Sequence, residues 1–157
     1  MGGGAPVEIE QRRFTKLELH RISGREAAVK KIKDLSTNGA ITIDRSESLM
    51  RAAKLLADDD IGSLIVFDVS GCVGIFSERD LARAVADEVD LDDTAVEDYM
   101  TESPVEVERE AGVGDAIGKM NEYGVRHLVV TDHDHDIIGV ISMRDIFQLL
   151  GTTWPEL

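Results

Sequence analysis

The feature that most constrains this chain is an internal repeat with a period of 64 residues. When the sequence is shifted by that amount, apolar and polar positions of the two halves coincide in the same order, with one additional residue in a late turn. Self-similarity at a fixed period indicates that one structural unit occurs twice. The aligned segments are 41–44 with 105–108, 64–68 with 128–132, and 74–81 with 139–146.

Each unit has the residue pattern of a β-α-β-β-α element order. An amphipathic helix with apolar residues at i, i+3, i+4 and i+7 follows the first strand. The strands are apolar at successive positions, which is typical of a sheet covered on both faces. A unit of about 60 residues buries too little surface to be stable alone, so the two units should share a core. The predicted strands are 41–43, 64–67 and 73–76, then 105–107, 128–131 and 137–141.

The predicted fold class is therefore α/β in the α+β sense, with two β-α-β-β-α repeats packed pseudo-symmetrically and preceded by an N-terminal helical arm. Residues 1–31 are predicted to form a flexible lead and a basic arm, and residues 152–157 a tail. The first repeat is predicted at 32–91 and the second at 92–151. The sequence leaves open whether the arm contacts the repeats or a partner.

The composition and the charge of the chain disfavour several classes of function. The net charge of −14 disfavours general binding to nucleic acid or to anionic membranes, because phosphate would be repelled. Residues 7–33 contain eight Lys or Arg and four Asp or Glu, so only the arm is basic and could bind single-stranded nucleic acid. The apolar runs are too short to cross a bilayer, and no secretion signal is evident. The single cysteine, Cys72, excludes an internal disulfide and favours the cytoplasm; its strand position predicts a small core residue.

The motif Ser-x-Arg-Asp occurs twice, each time between an apolar strand and a helix. Taken singly, a Ser followed three residues later by an acid is best interpreted as a helix cap. The duplication and the shared Arg favour a ligand site, in which the carboxylate accepts from a ribose diol and the guanidinium binds phosphate. Capping and ligand binding are compatible. The residues assigned by this hypothesis are Ser77, Arg79, Asp80, Ser142, Arg144 and Asp145.

These motifs, in this order and twice, resemble a tandem pair of cystathionine-β-synthase-type (CBS) domains, often called a Bateman module. The segments that carry the resemblance are 74–81, 100–105, 123–130 and 139–146, and it extends over about residues 33–151. The resemblance implies two pseudo-symmetric clefts between the repeats. It also implies a regulatory ligand of adenosine type, such as AMP, ADP, ATP or S-adenosylmethionine, and no catalytic cofactor.

The resemblance further implies a role for individual positions. Asp80 and Asp145 would hold ribose hydroxyls, with Ser77 and Ser142 at the sugar or phosphate. Backbone near Ala40, Ile41, Pro104 and Val105 would meet the adenine edge, the side chains of Ile61 and Val125 its face, and those of Arg126 and His127 a phosphate. The first repeat has Gly62 and Ser63 in place of Arg126 and His127, and Ala40 in place of Pro104. The clefts are therefore predicted to be unequal, and the cleft that Arg126 and His127 serve is left open.

Other candidate sites have a simpler interpretation. His133 and His135 lie in an Asp-His-Asp-His-Asp turn, where alternating side chains need not converge on one ion, so we predict a plain turn and no metal site. No nucleophile–base pair or phosphate loop is evident, so no enzyme is predicted.

The leading hypothesis is a non-catalytic cytoplasmic sensor that forms a homodimer and signals ligand binding to a protein partner in trans. The alternative is a dimerisation or protein-interaction module whose clefts no longer bind a ligand. Binding of nucleic acid by the arm is a distant third.

Overall fold

A computed structural model describes residues 30–35 and 40–150 of the 157-residue chain. The first part of the chain contains a 3-10 turn (Ile32–Asp34), β1 (Thr42–Asp44), α1 (Leu49–Asp58), β2 (Ser63–Asp68), β3 (Gly71–Ser77) and α2 (Glu78–Ala86). The second contains a 3-10 turn (Val96–Asp98), β4 (Thr101–Glu102), β5 (Glu106–Glu108), α3 (Val113–Tyr123), β6 (His127–Thr131), β7 (Ile137–Ser142) and α4 (Met143–Leu149). The predicted mixed α+β class and the β-α-β-β-α order of each repeat are confirmed. The predictions for 1–29 and 152–157 lie outside the described residues.

The strands form two small sheets with matching topology. The first has the order β1-β2-β3-β4 and the second the order β5-β6-β7. The first strand of each repeat is parallel to the second, which is antiparallel to the third. Ile43 pairs with Val66, and Val107 pairs with Val130, at positions that differ by the repeat period. The repeat in the sequence therefore corresponds to a repeat in the strand register.

Each repeat has its own apolar core between a sheet and its helices. In the first, α1 contributes Leu49, Ala52 and Leu56, which pack with residues of β2 and β3. In the second, α3 contributes a corresponding row to a cluster with β6 and β7: Val113, Ala116, Ile117 and Met120. The periodic apolar rows thus face the cores as predicted. Cys72 in β3 is only half-buried, so it is less enclosed than a core position.

The two repeats are joined by segments that cross between them. Ile32 lies at the start of the first repeat but is fully buried in the core of the second. Val96 lies near the start of the second repeat but is fully buried in the core of the first. The N–H of Ile32 donates to the carbonyl of Ala111 at 3.0 Å, and that of Val96 to the carbonyl of Glu47 at 2.8 Å. Each core is therefore completed by the opening segment of the other repeat, and we call these two segments, 30–35 and 95–102, the crossing segments.

Further contacts extend this exchange. Lys31 forms a bridge with Gly112, and Ala95 forms the equivalent bridge with Ser48. The two-residue strand β4, which the sequence did not predict, pairs with β3 of the first sheet. The boundary between the repeats, placed between residues 91 and 92, remains a prediction. The two cores do not divide the chain there, because each core includes residues from both sides of it. Among the described residues, every helix is too short or too polar to cross a membrane.

Candidate functional site

Both Ser-x-Arg-Asp segments lie where a strand enters a helix, and both aspartates cap that helix. The N–H and the hydroxyl of Ser77 donate to Oδ2 of Asp80 at 2.7 and 2.8 Å. The N–H and the hydroxyl of Ser142 donate to Oδ2 of Asp145 at 2.6 and 2.7 Å. The capping interpretation is therefore confirmed at both positions. It uses one oxygen of each carboxylate, which leaves the other oxygen for a different role.

The second carboxylate oxygens differ between the repeats. Oδ1 of Asp80 accepts from Nη2 of Arg83 at 2.7 Å, and the same nitrogen donates to the carbonyl of Tyr99 at 2.9 Å. Oδ1 of Asp145 accepts no hydrogen bond from any residue in the described part of the chain. Asp80 is 5% exposed, whereas Asp145 is half-buried. Only the second aspartate thus combines partial burial with an uncommitted oxygen.

Antiparallel strand pairing brings His127, a predicted phosphate residue, and its counterpart Ser63 next to these motifs. Ser63 lies opposite Ser77 across β2 and β3, and His127 lies opposite Ser142 across β6 and β7. Ser63 is buried. Three arginines were predicted to bind phosphate: Arg79, Arg126 and Arg144. All three are exposed, and none forms an ion pair with another residue in the described ranges 30–35 and 40–150.

His127 lies between the two repeats. A Cβ built on Gly62 of the first repeat would be 3.0 Å from Nε2 of His127 and 3.7 Å from Oε2 of Glu78. Burial lowers the pKa of His127, an effect that the negative charges of Asp145, Glu78 and Asp80 partly oppose. The ring is therefore held neutral near both helix entrances. A side chain at position 62 would therefore be in tight contact with the ring.

The predicted adenine-facing segments lie at the starts of β1 and β5. The carbonyls of Ile41 and Val105 accept from the N–H groups of Ile65 and Val129, at 3.0 Å in both repeats. Each of these carbonyls therefore accepts one hydrogen bond within its sheet and keeps a second lone pair. The remaining predicted residues are half-buried, with Ile61 packed against the first core and Val125 against the second: Ala40, Ile61, Pro104 and Val125.

Two other features lie away from these motifs. Asp132 accepts from the N–H groups of Asp134 and Asp136 at 2.9 and 3.0 Å, so its carboxylate organises the turn. The turn also brings Asp132, His133 and Asp134 close enough to share an ion, but the last two are exposed.

A groove of about 550 Å³ lies beside α3, lined in part by Gly114 and Gly118, and includes none of the predicted ligand residues.

The roles of Arg83 and Gly62 in the structure were not predicted. Arg83 follows Asp80 by three residues on a helix, a spacing at which opposite charges meet. That signal was present in the sequence. The role of Gly62 depends on a ring from the other repeat, and no local pattern indicates it.

Comparison with known proteins agrees with this arrangement. A family model described as the CBS domain matches residues 32–87 and 96–152. The chain therefore belongs to the CBS domain family, as the resemblance predicted. A CBS domain protein from Pyrobaculum aerophilum complexed with AMP is 27% identical, with a TM-score of 0.69 over 78% of this chain and 98% of that one. The CBS domain pair of protein MJ0100, in complex with 5'-methylthioadenosine and S-adenosyl-L-methionine, is 29% identical, with a TM-score of 0.68 over 78% and 96%.

Curated relatives place this pair in different contexts. An uncharacterized 17.7 kDa protein of Acidianus ambivalens is 31% identical over 76% of this chain and 73% of its own length. An arabinose 5-phosphate isomerase of Francisella tularensis is 28% identical over 66% of this chain, which spans only 32% of that enzyme. The enzyme name of that relative thus belongs to a protein about three times as long as the matched region.

Proposed function

We propose that this chain is a non-catalytic regulatory module that binds an adenosine-type ligand between its two CBS repeats. The observation that carries the proposal is the half-buried Asp145, whose Oδ1 has no hydrogen-bond partner within the described residues and which lies near His127. A carboxylate oxygen in this state can accept two hydroxyl groups of a ribose. The AMP and S-adenosylmethionine complexes of related CBS proteins support the same ligand class.

The proposed roles follow from exposure and charge. Ser142 holds Asp145 in place through Oδ2, so that Oδ1 faces the ligand. Exposed Arg126 and Arg144 supply forked donors for phosphate oxygens, and neutral His127 supplies a further donor. In the first repeat Ser77, Arg79 and Asp80 hold the corresponding positions. Ala40, Ile41, Pro104 and Val105 border the base through backbone groups, and Ile61 and Val125 border it through side chains. Ser63 holds the position in the first repeat that corresponds to His127.

The crossing segments provide the route by which a ligand acts on the whole module. A molecule bound at one helix entrance contacts both repeats, and each repeat contains a segment of the other. A change in their relative packing therefore reaches both cores. We further propose that the module is a cytoplasmic homodimer whose protein partner responds to this change. Exposed Val85 on α2 and Tyr123 on α3, each 58% exposed, are candidates for the contact between copies.

Thermal unfolding in the presence of AMP, ADP, ATP, S-adenosylmethionine and NADH tests the ligand class. A ligand at ~100 times its dissociation constant adds about 2.7 kcal/mol to the free energy of unfolding. For a chain of this size we expect Tm to rise by roughly 5–10 °C. If no compound in this panel raises Tm, the ligand proposal is wrong and the alternative of a pure dimerisation or interaction module is favoured.

Two aspartate variants separate binding from capping. Asp145→Ala should abolish the ligand-dependent rise in Tm. Asp115→Ala is the matched control, because Asp115 caps α3 in the same way, accepting from the N–H of Gly112 at 3.2 Å, and lies on the groove beside α3. It should lower the baseline Tm and leave the ligand increment intact. An equal increment in Asp145→Ala and wild type would refute the proposed site.

A further inference from the structure

The two CBS repeats differ in the number of carboxylate oxygens of the motif aspartate that already accept hydrogen bonds. Asp80 is bonded through both oxygens, with Oδ2 accepting from Ser77 and Oδ1 from Arg83. Asp145 is bonded through Oδ2 alone, within the described residues. The difference lies in the residue three positions further along the helix. The first repeat has Arg83 there, and the second has Gln148.

Arg83 is held in place from two sides. The same Nη2 that binds Asp80 also donates to the carbonyl of Tyr99 at 2.9 Å. Tyr99 belongs to the crossing segment that packs on the first repeat, and its hydroxyl donates to Asp87 at 2.9 Å. The guanidinium therefore lies between the helix and the crossing segment. The side chain of Asp80 is left only 7% exposed.

A ribose that binds Asp80 would have to replace this contact. The bond from Arg83 joins two opposite charges, and such bonds are stronger than those from a neutral hydroxyl. Removing the guanidinium from a nearly buried carboxylate would also leave that carboxylate without its charged partner. No equivalent contact opposes a ribose at Asp145 from the described residues. The energetic balance therefore favours the second repeat.

We propose that Arg83 is a specificity-determining residue that closes the Asp80 cleft, so that each chain binds one adenosine-type ligand, at Asp145. This inference depends on the proposed function and adds the stoichiometry and the location of binding. It also identifies the pair of equivalent positions, 83 in the first repeat and 148 in the second, that determines whether Oδ1 of the aspartate is already bonded. We therefore expect Arg83→Gln to add a binding site at Asp80, and Gln148→Arg to weaken the site at Asp145.

Calorimetric titration of the full-length chain with AMP, and separately with S-adenosylmethionine, measures the number of sites. Wild type should bind one molecule per chain. Arg83→Gln should bind two, because Asp80 gains a free Oδ1. Gln148→Arg should weaken binding about 10- to 100-fold, the effect of one charge-assisted hydrogen bond that the ligand must displace. Both positions are exposed, so both variants should fold, which the unfolding transition without ligand verifies.

A double variant assigns the new site. Asp145→Ala in the Arg83→Gln background should return the stoichiometry to one, with the remaining site at Asp80. Two sites in wild type, or one site in Arg83→Gln with unchanged affinity, would overturn the role of Arg83 and leave the ligand class standing. Absence of binding to every variant by both probes would instead overturn the proposed function, and this inference with it.

Discussion

At the scale of single residues, His127 connects the two repeats more directly than any motif suggested. Its ring lies against Gly62, and the carboxylates of Asp145, Glu78 and Asp80 act on its pKa from the two helix entrances. Burial is the largest influence and lowers that pKa below the ordinary value of 6.5. The folded protein therefore binds a proton at this position less readily than the unfolded chain does.

This pKa shift predicts a pH-dependent stability. As pH falls through about 6.5, the unfolded chain takes up a proton that folded His127 resists, so the free energy of unfolding decreases until pH reaches the folded pKa. His127→Gln should flatten the fall in Tm between about pH 7 and 5. His133→Gln is the control, since the side chain of His133 is 86% exposed. A slope that survives in His127→Gln would contradict the assignment.

The Ser-x-Arg-Asp motif allowed the helix caps to be predicted from the sequence, but not the different surroundings of the two aspartates. Its capping role follows from local chemistry, because a hydroxyl and a carboxylate three residues apart fit a helix entrance. The different burial of Asp80 and Asp145 does not. It depends on Arg83 and on Tyr99, and Tyr99 reaches the motif only through the crossing segment.

At the scale of elements, the helices were well predicted and the shortest strand was not. Rows of apolar residues at helical spacing identify α1 and α3, and both rows face a core. The strand β4 has two residues and no periodicity of its own. It forms because Gly74 of β3 allows close approach. A Cβ there would lie 2.8 Å from the carbonyl oxygen of Thr101 and 2.9 Å from Sδ of Met100.

Two glycine variants test the importance of this approach. Gly74→Ala should decrease the free energy of unfolding by about 1–3 kcal/mol, because β4 and Met100 must shift. Gly118→Ala in α3 is the matched control, since a Cβ there meets nothing within 4 Å. That change should increase stability by roughly 0.5–1 kcal/mol by removing backbone freedom from the unfolded chain. Denaturant unfolding measures both, and a neutral Gly74→Ala would show that β4 tolerates displacement.

At the scale of the whole molecule, the crossing segments make the two repeats interdependent. Ile32 and Val96 occupy equivalent positions in opposite cores, and both are fully buried. Neither repeat keeps its complete core without a segment that belongs, along the chain, to the other. We therefore expect one cooperative unfolding transition in place of two.

Ile32→Ala tests this interdependence. Loss of the buried side chain should cost about 2–5 kcal/mol and still leave a single transition, although Ile32 begins the first repeat and packs in the second. Lys33→Ala in the same turn is exposed and should change stability by less than about 0.5 kcal/mol. Calorimetry with comparison of the calorimetric and van't Hoff enthalpies distinguishes one transition from two. Two separate transitions would contradict the role given to the crossing.

The sequence by itself determined the repeat, the order of helices and strands, the core-facing rows and the capping motifs, because all of these depend on residues close together in the chain. Three other features depend on tertiary contacts: which segment completes which core, the packing of His127 over Gly62, and the pairing of Asp80 with Arg83, which the carbonyl of Tyr99 also holds. Asp145 has no such partner for its second oxygen within the described residues. These contacts join residues that are distant along the chain or belong to different repeats. Periodicity cannot record such contacts, because it reports only the face on which a residue lies and not what meets that face.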